Sequence, residues 1–98
     1  MKRGGCVYIM TNKRHSVLYT GVTADLSRRV TEHREKKDPA SFTARYNCDI
    51  LIYYVSFHHI EEAIAEETRI KGLSRSKKLN LINGINPSWK DLFPDLID

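Results

Sequence analysis

The sequence predicts an α/β (α+β) domain, a small three-stranded, mostly antiparallel sheet flanked by helices. Three observations carry that expectation. Two apolar runs, residues 6–10 (Cys-Val-Tyr-Ile-Met) and 17–23 (Val-Leu-Tyr-Thr-Gly-Val-Thr), flank the polar, turn-prone segment Asn12-Lys13-Arg14-His15-Ser16, which is the pattern of a β-hairpin. A third run, residues 49–57, is β-rich and nearly continuous in apolar residues, as in a central strand covered on both faces. Helical spacing of apolar residues follows the hairpin and, again, the third run.

Taken in order, the hairpin comes first. Side chains alternate across a strand, so Cys6, Tyr8 and Met10 share one face of the first strand, and Val17, Tyr19, Gly21 and Thr23 share one face of the second. Two tyrosines can therefore meet on one face. Asp25 is placed to N-cap a helix carrying Leu26, Arg29, Val30 and His33 on one side, and the i, i+4 spacing sets the Arg29 guanidinium beside the His33 imidazole. Arg28 lies ~100° away around the same helix and is expected to point to solvent. Residues 35–40 are polar and contain Pro39, which marks a surface loop. Residues 42–46 read as a short helix or turn. Its Arg45 and Tyr46 either serve a nucleic-acid surface or, the commoner case, are a solvated arginine beside a packed tyrosine.

Residues 60–73 read as a helix with Ile60, Ala63, Ile64, Ile70 and Leu73 on one side. Glu66 and Glu67 both project into that apolar sector, and periodicity does not choose between them. Glutamate is seldom fully buried, so a solvated edge residue is the plain reading for either. Ser74 is expected to N-cap a short helix through Ile82, closed by Asn83-Gly84 in a left-handed C-terminal turn. If the two helices are nearly continuous, Lys71, Arg75 and Lys78 form a basic ridge suited to phosphates; a solvated charge run is the equal alternative. In the tail, Trp89, Leu92 and Phe93 are expected to fold back onto the body, because a tryptophan hides best against an apolar surface.

Ninety-eight residues suit one domain, with a core over residues 5–82 and a tail over 83–98. Sixteen basic against twelve acidic residues give a net charge of +4, which permits an anionic partner without proving one. Two cysteines, Cys6 and Cys48, are too few for a disulfide scaffold, no apolar leader opens the chain, and no apolar run is long enough to span a membrane. A reduced, cytoplasmic monomer is expected. Cys6, Cys48, His58 and His59 lack a close cysteine pair at zinc spacing. There is no glycine-rich phosphate loop and no Ser/His/Asp arrangement, which removes P-loop nucleotide hydrolysis and acyl transfer from consideration.

Tyr8, then Tyr19-Thr20-Gly21 eleven positions on, then Asp25-Leu26 and an arginine eight residues beyond the glycine, resemble the signature of the GIY-YIG nuclease superfamily. The resemblance covers roughly Gly5 to Ile82 and is nearest to small bacterial proteins that consist of this domain alone. Cys6-Val7 stands where Gly-Ile is usual, and Thr20 replaces the middle isoleucine of the second triplet. Both changes leave the tyrosines and the glycine intact.

The resemblance implies a GIY-YIG endonuclease-like fold and a nuclease that hydrolyses phosphodiester bonds in DNA, or less readily RNA, in repair or nucleic-acid processing, with one Mg²⁺ or Mn²⁺ ion. It assigns Tyr8 as candidate general base, Tyr19 to align water or phosphate, Arg29 to clamp the scissile phosphate and Gly21 to a structural turn at the site. It also selects Glu66 as the metal ligand, because the superfamily's glutamate stands four residues before an apolar residue followed by lysine, here Ile70-Lys71. A tyrosine base needs help at neutral pH, since its ordinary pKa is about 10. His33, charged beside the phenolate or neutral and accepting the proton, could provide it. Nucleic-acid contacts would fall to Arg28, Arg45, Lys71, Arg75 and Lys78, with a protein partner as one source of specificity. Two other classes stay open. One is a nucleic-acid-binding module with little or no cleavage. The other is an adaptor that docks on a repair or processing protein through Trp89 and Phe93.

Overall fold

The computed structural model describes residues 4–97. Strand β1 (Gly5–Thr11) turns through the hairpin loop into β2 (Leu18–Thr23). Two helices follow, α1 (Leu26–Arg34) and the single turn α2 (Phe42–Arg45), before β3 (Ile50–Phe57). Helices α3 (Ile60–Lys71), α4 (Arg75–Ile85) and the short α5 (Phe93–Ile97) complete the chain. The sheet has the order β2-β1-β3 and both pairings are antiparallel.

The central strand is therefore β1, and β3 is an edge strand, contrary to the central position its apolar run suggests. The run is explained by what covers the edge. Leu92 N donates to Leu51 O at 2.7 Å, Asp91 Oδ1 accepts from Leu51 N at 3.3 Å, and the Asn86 amide donates to Ile52 O at 3.0 Å. The tail thus occupies the outer backbone groups of β3, which would otherwise be open to pairing with another chain. A bulge between Ile9 and Met10 in the β1–β3 register also breaks the alternation. It lets the consecutive Ile52 and Tyr53 enter one core while Leu51 and Tyr54 belong to the other.

The strict alternation of β1 divides the interior into two layers. Val7 and Ile9 face α3 and α4, packing with Ile52, Tyr53, Ala63, Ile70 and Ile82. Tyr8 and Met10 face α1, packing with Leu26, Val30, Cys48 and Leu51, and the tail residues Leu92, Phe93 and Leu96 close that side. Trp89 lies on the first layer, its indole N–H donating to Asn83 Oδ1 at 2.6 Å and its ring 4.9 Å from His15.

Three local readings are corrected. Gly84 does not end α4 in a left-handed turn: the helix runs on to Ile85, and Asn86 ends it because its side chain bonds both Ile52 O and Lys90 O. Ile64 is exposed, since Ala63 and Ile70 mark the centre of the buried stripe of α3 and Ile64 lies about 100° from Ala63. Helices α3 and α4 are not continuous either. Gly72 caps the first, and Ser74 has extended backbone and caps the second through a bond from Lys77 N.

Candidate active site on the α1 face

The site is assembled where the hairpin meets α1. Tyr8 pairs with Gly21 across the β1–β2 ladder, and a Cβ added at Gly21 would come within 2.6 Å of both Cζ and the hydroxyl of Tyr8. Gly21 stands inside β2 and not at a turn, and its missing side chain leaves the room in which the Tyr8 ring lies over the strand. Met10 pairs with Tyr19 two residues along, so the two tyrosines share this face, with ring centroids 6.2 Å apart. Asp25 caps α1 by accepting from Arg28 N at 3.2 Å, which sets the helical phase that buries Leu26, Val30 and His33 against the sheet.

His33 is the hub. Its Nε2 lies 2.8 Å from the Tyr8 hydroxyl and its Nδ1 lies 2.8 Å from Thr43 Oγ1. Thr43 Oγ1 is in turn 3.3 Å from Ser41 Oγ, the cap of α2. Burial, reinforced by the Arg29 guanidinium, pushes the His33 pKa down from 6.5 to about 4, so the ring is neutral at physiological pH. Burial, together with the neighbouring Tyr19, raises the Tyr8 pKa, with Arg29 opposing the rise. The phenol therefore stays protonated, and its hydroxyl shares a hydrogen bond with the neutral ring at Nε2. His33 Nδ1, Thr43 Oγ1 and Ser41 Oγ continue the chain of hydrogen bonds, whose direction follows the tautomer of the ring. Among the described residues, no buried side-chain nitrogen or oxygen is left without a partner.

Arg29 stands at the rim of this cluster. Its side chain is 44% exposed against 75% for Arg28, and both reach Glu32, at 3.0 and 3.2 Å respectively. A cavity of about 90 Å³ opens between α1 and the following loop, lined by Arg29, Glu32, His33, Lys37, Asp38 and Ser41.

The other sequence-predicted residues lie elsewhere. Glu66 is held by Arg69 through two bonds, at 2.8 and 2.7 Å, which lower its pKa, and its further electrostatic neighbour is Tyr53, part of the opposite layer. Glu67 is paired with Lys71 at 2.9 Å. It falls between the buried Ala63 and Ile70 on the helix, and its side chain is 16% exposed against 23% for Glu66. Because α3 and α4 are broken at Gly72–Ser74, Lys71, Arg75 and Lys78 do not form one helical ridge, and Arg75 turns to donate to His15 O at 3.3 Å. Arg45 lies over the Tyr46 ring at 5.8 Å, and Tyr46 is exposed where the commoner reading had it packed.

Sequence reasoning missed Thr43, Ser41, Glu32 and Phe42. Glu32 was legible as the i+3 and i+4 neighbour of two arginines. Thr43 carries no such signal, because its partner is ten residues away in another helix.

The sequence profile of the GIY-YIG catalytic domain matches residues 4–80. The chain belongs to the GIY-YIG family. A UPF0213 protein of Staphylococcus haemolyticus is 37% identical over 76 residues, covering 78% of this chain and 90% of that one. One of Oceanobacillus iheyensis is 40% identical over 76 residues, covering 78% and 86%. The solution NMR structure of a UPF0213 protein from Bacillus halodurans shares 33% identity and superposes with a TM-score of 0.58 over 90% of this chain and 92% of that one. Small single-domain GIY-YIG proteins are thus its kin, and the family is one of nucleases.

GIY-YIG nucleases generally use a divalent metal, so the donor set is the question. Among the described residues no three His, Cys, Asp or Glu side chains gather into a cage, and this includes the pairing of cysteines with His58 and His59. Cys48 is buried, its thiol pushed up to about 11 by burial and then by Asp49. A magnesium ion, however, commonly keeps several waters and takes only one or two carboxylates, with substrate phosphate completing the shell. Helix α3 offers such carboxylates in Glu66 and Glu67, and Glu32 and Asp38 line the cavity at His33.

Proposed function

We propose that the protein is a metal-dependent nuclease that hydrolyses phosphodiester bonds, in DNA before RNA, in a repair or processing role and in the cytoplasm. One observation carries this reading: the Tyr8 hydroxyl lies 2.8 Å from Nε2 of the buried His33, whose Nδ1 lies 2.8 Å from the Thr43 hydroxyl. With the Tyr8 phenol donating, Nε2 is a proton acceptor and Nδ1–H is the donor to Thr43.

Hydrolysis requires that a water lose a proton as its oxygen attacks phosphorus. Tyr8, kept as a phenol, passes its own proton to His33 Nε2 as it takes one from the water, so no free phenolate has to persist. The imidazole is the acceptor and Tyr8 the relay, which refines the role of general base that resemblance gives to Tyr8. Tyr19, beside both rings, aligns water or phosphate. Arg29 exchanges its bond to Glu32 for the scissile phosphate and stabilises added charge on the phosphoryl oxygens through its planar fork. Glu66 on α3 would hold a divalent ion, which would supply charge neutralisation to phosphoryl oxygens.

A nucleic-acid-binding module with little turnover is the second reading, favoured by the bidentate grip of Arg69 on Glu66. The test is cleavage of labelled nucleic acids with and without Mg²⁺, by the parent and by Glu66→Gln and Glu67→Gln. Loss of metal-dependent cleavage in Glu66→Gln, with Glu67→Gln close to the parent, is the expected outcome. The reverse ranking assigns the metal to Glu67, the more enclosed of the two, and no cleavage by the parent favours the binding module.

A further inference from the structure

This inference rests on the nuclease reading and names the form of substrate the site takes. A row of aromatic rings leads outward from the reacting pair. Tyr8 and Tyr19 are followed by Phe42, 5.9 Å from Tyr19 with planes only 29° apart, and then by Tyr46, 4.7 Å from Phe42. The inner end is buried, but Phe42 and Tyr46 are 45% and 44% exposed.

Their exposure is built in. Phe42 and Tyr46 stand at i and i+4 on the outer side of α2, while Thr43 and Ala44 are buried on its inner side and Ser41 caps the turn. The buried bond from Thr43 to His33 ties α2 directly to the catalytic cluster. The two rings are thus held from below and left partly exposed, one step from Tyr19.

The chemistry around the ledge selects its occupant. The Arg45 guanidinium lies beside the Tyr46 ring and makes no ion pair among the described residues. Arg29 and Lys37 line the cavity at His33 beside Glu32 and Asp38, with Arg29 paired to Glu32. The chain carries +4 overall. Two flat rings flanked by cations fit a ligand with apolar faces and anionic links. They are far smaller than the ~1,200 Å² or more that a stable protein interface buries.

We propose that Phe42 and Tyr46 form a stacking platform for unpaired bases, with Arg45 on the adjoining phosphate, so that the strand enters the Tyr8–His33 site as a single strand or a frayed end. Base faces are open only where pairing and stacking are lost. A closed duplex cannot use the platform.

The test is binding without metal, so that cleavage plays no part, followed by fluorescence anisotropy on a short labelled single strand, as DNA and as RNA, and on a blunt duplex of the same sequence. The parent should bind the single strand at least ~10-fold more tightly than the duplex. Tyr46→Ala should lower single-strand affinity by ~10-fold, and with Phe42→Ala by up to ~10²-fold, with duplex affinity changed less than about 2-fold. Tyr46→Trp should keep the affinity, and its added indole emission should be quenched by the single strand. Tighter binding of either sugar supports the platform.

Phe42 also touches Tyr19, so the double variant needs a dispersed amide NMR spectrum. Tyr46→Ala, whose ring meets Phe42 and Arg45, carries the test alone if the double variant unfolds. Unchanged single-strand affinity, or an equal loss on both forms, overturns the platform and leaves the nuclease reading in place. A parent that binds neither form overturns both.

Discussion

The two faces of β1 carry opposite kinds of packing. On one, Val7 and Ile9 meet Ile52, Ala63, Ile70 and Ile82, an apolar layer whose contacts depend on volume. On the other, Tyr8 and Met10 meet α1 in a layer threaded by hydrogen bonds from Tyr8 through His33 and Thr43 to Ser41. The first layer stabilises by excluding water and tolerates swaps of similar volume. The second fixes ring orientation and protonation state, and no apolar substitute would preserve that. A domain this small can thus keep a polar chain in its interior because apolar side chains pack around it and on the far side of the same strand.

The comparison breaks first, and most heavily, on the apolar side. Ile70→Ala should destabilise the fold by ~2–5 kcal/mol, seen as a lower urea midpoint, because α3 has no other fully buried large side chain to close the gap. Any molecules that remain folded should keep the parent's cleavage rate. A lowered rate in the folded fraction would mean that the two layers are coupled.

On the polar side the largest effect belongs to Arg29. Arg29→Ala should lower the cleavage rate by at least ~10²-fold with little loss of stability, since the side chain is largely at the surface. Arg28→Ala should weaken binding only. If folded Arg29→Ala cuts as well as the parent, the proposed site is wrong and the binding-module reading takes its place.

Protonation sharpens the contrast further. Unfolded His33 titrates near 6.5 and folded His33 near 4, so between those values the unfolded chain holds the extra proton. The contribution of this residue is fully present above about pH 6.5 and is lost as pH falls toward 4, by ~1–3 kcal/mol. Urea midpoints measured across that window should shift less in His33→Gln than in the parent. The same ring predicts that the acid limb of cleavage lies well below 6.5; a limb centred at 6.5 would show that His33 is solvated and ordinary.

The smallest effect concerns the α3–α4 surface. Changing Lys71, Arg75 and Lys78 to alanine should flatten the slope of log affinity against log salt by no more than ~1 unit. A continuous ridge would give about three. A full three-unit change would mean that the strand tracks this surface despite the break at Gly72–Ser74.

How much of this was legible in the sequence varies by residue. Alternation within each strand allowed Tyr8, Tyr19 and Gly21 to meet on one face, and the register places them so. Asp25 as cap and the burial of Leu26, Val30 and His33 followed from helical spacing. Ser74 was legible as a cap too, but the unbroken ridge drawn across it was not consistent with a cap, whose backbone is extended. The placement of β3 failed because an apolar run reports burial on both faces, and an edge covered by a tail buries a strand as well as a neighbouring strand does.

The sequence by itself determined the local matters: which residues form strands and helices, where α1 begins, which side chains share a face, and the family. These depend on interactions spanning about four residues or on a two-residue alternation, so they are written in the order of the chain. The tertiary structure alone decided that Thr43 meets the tautomer-setting Nδ1 of His33, that burial holds that ring neutral, that Arg69 occupies Glu66, and that Phe42 and Tyr46 extend the row of rings outward. Of these, the tautomer, the protonation state and the contact of Phe42 with Tyr19 depend on groups brought together from distant segments and on the water excluded between them. The pairings of Arg69 with Glu66 and of Phe42 with Tyr46 are local, but each is one of several rotamers that spacing allows, and packing selects among them.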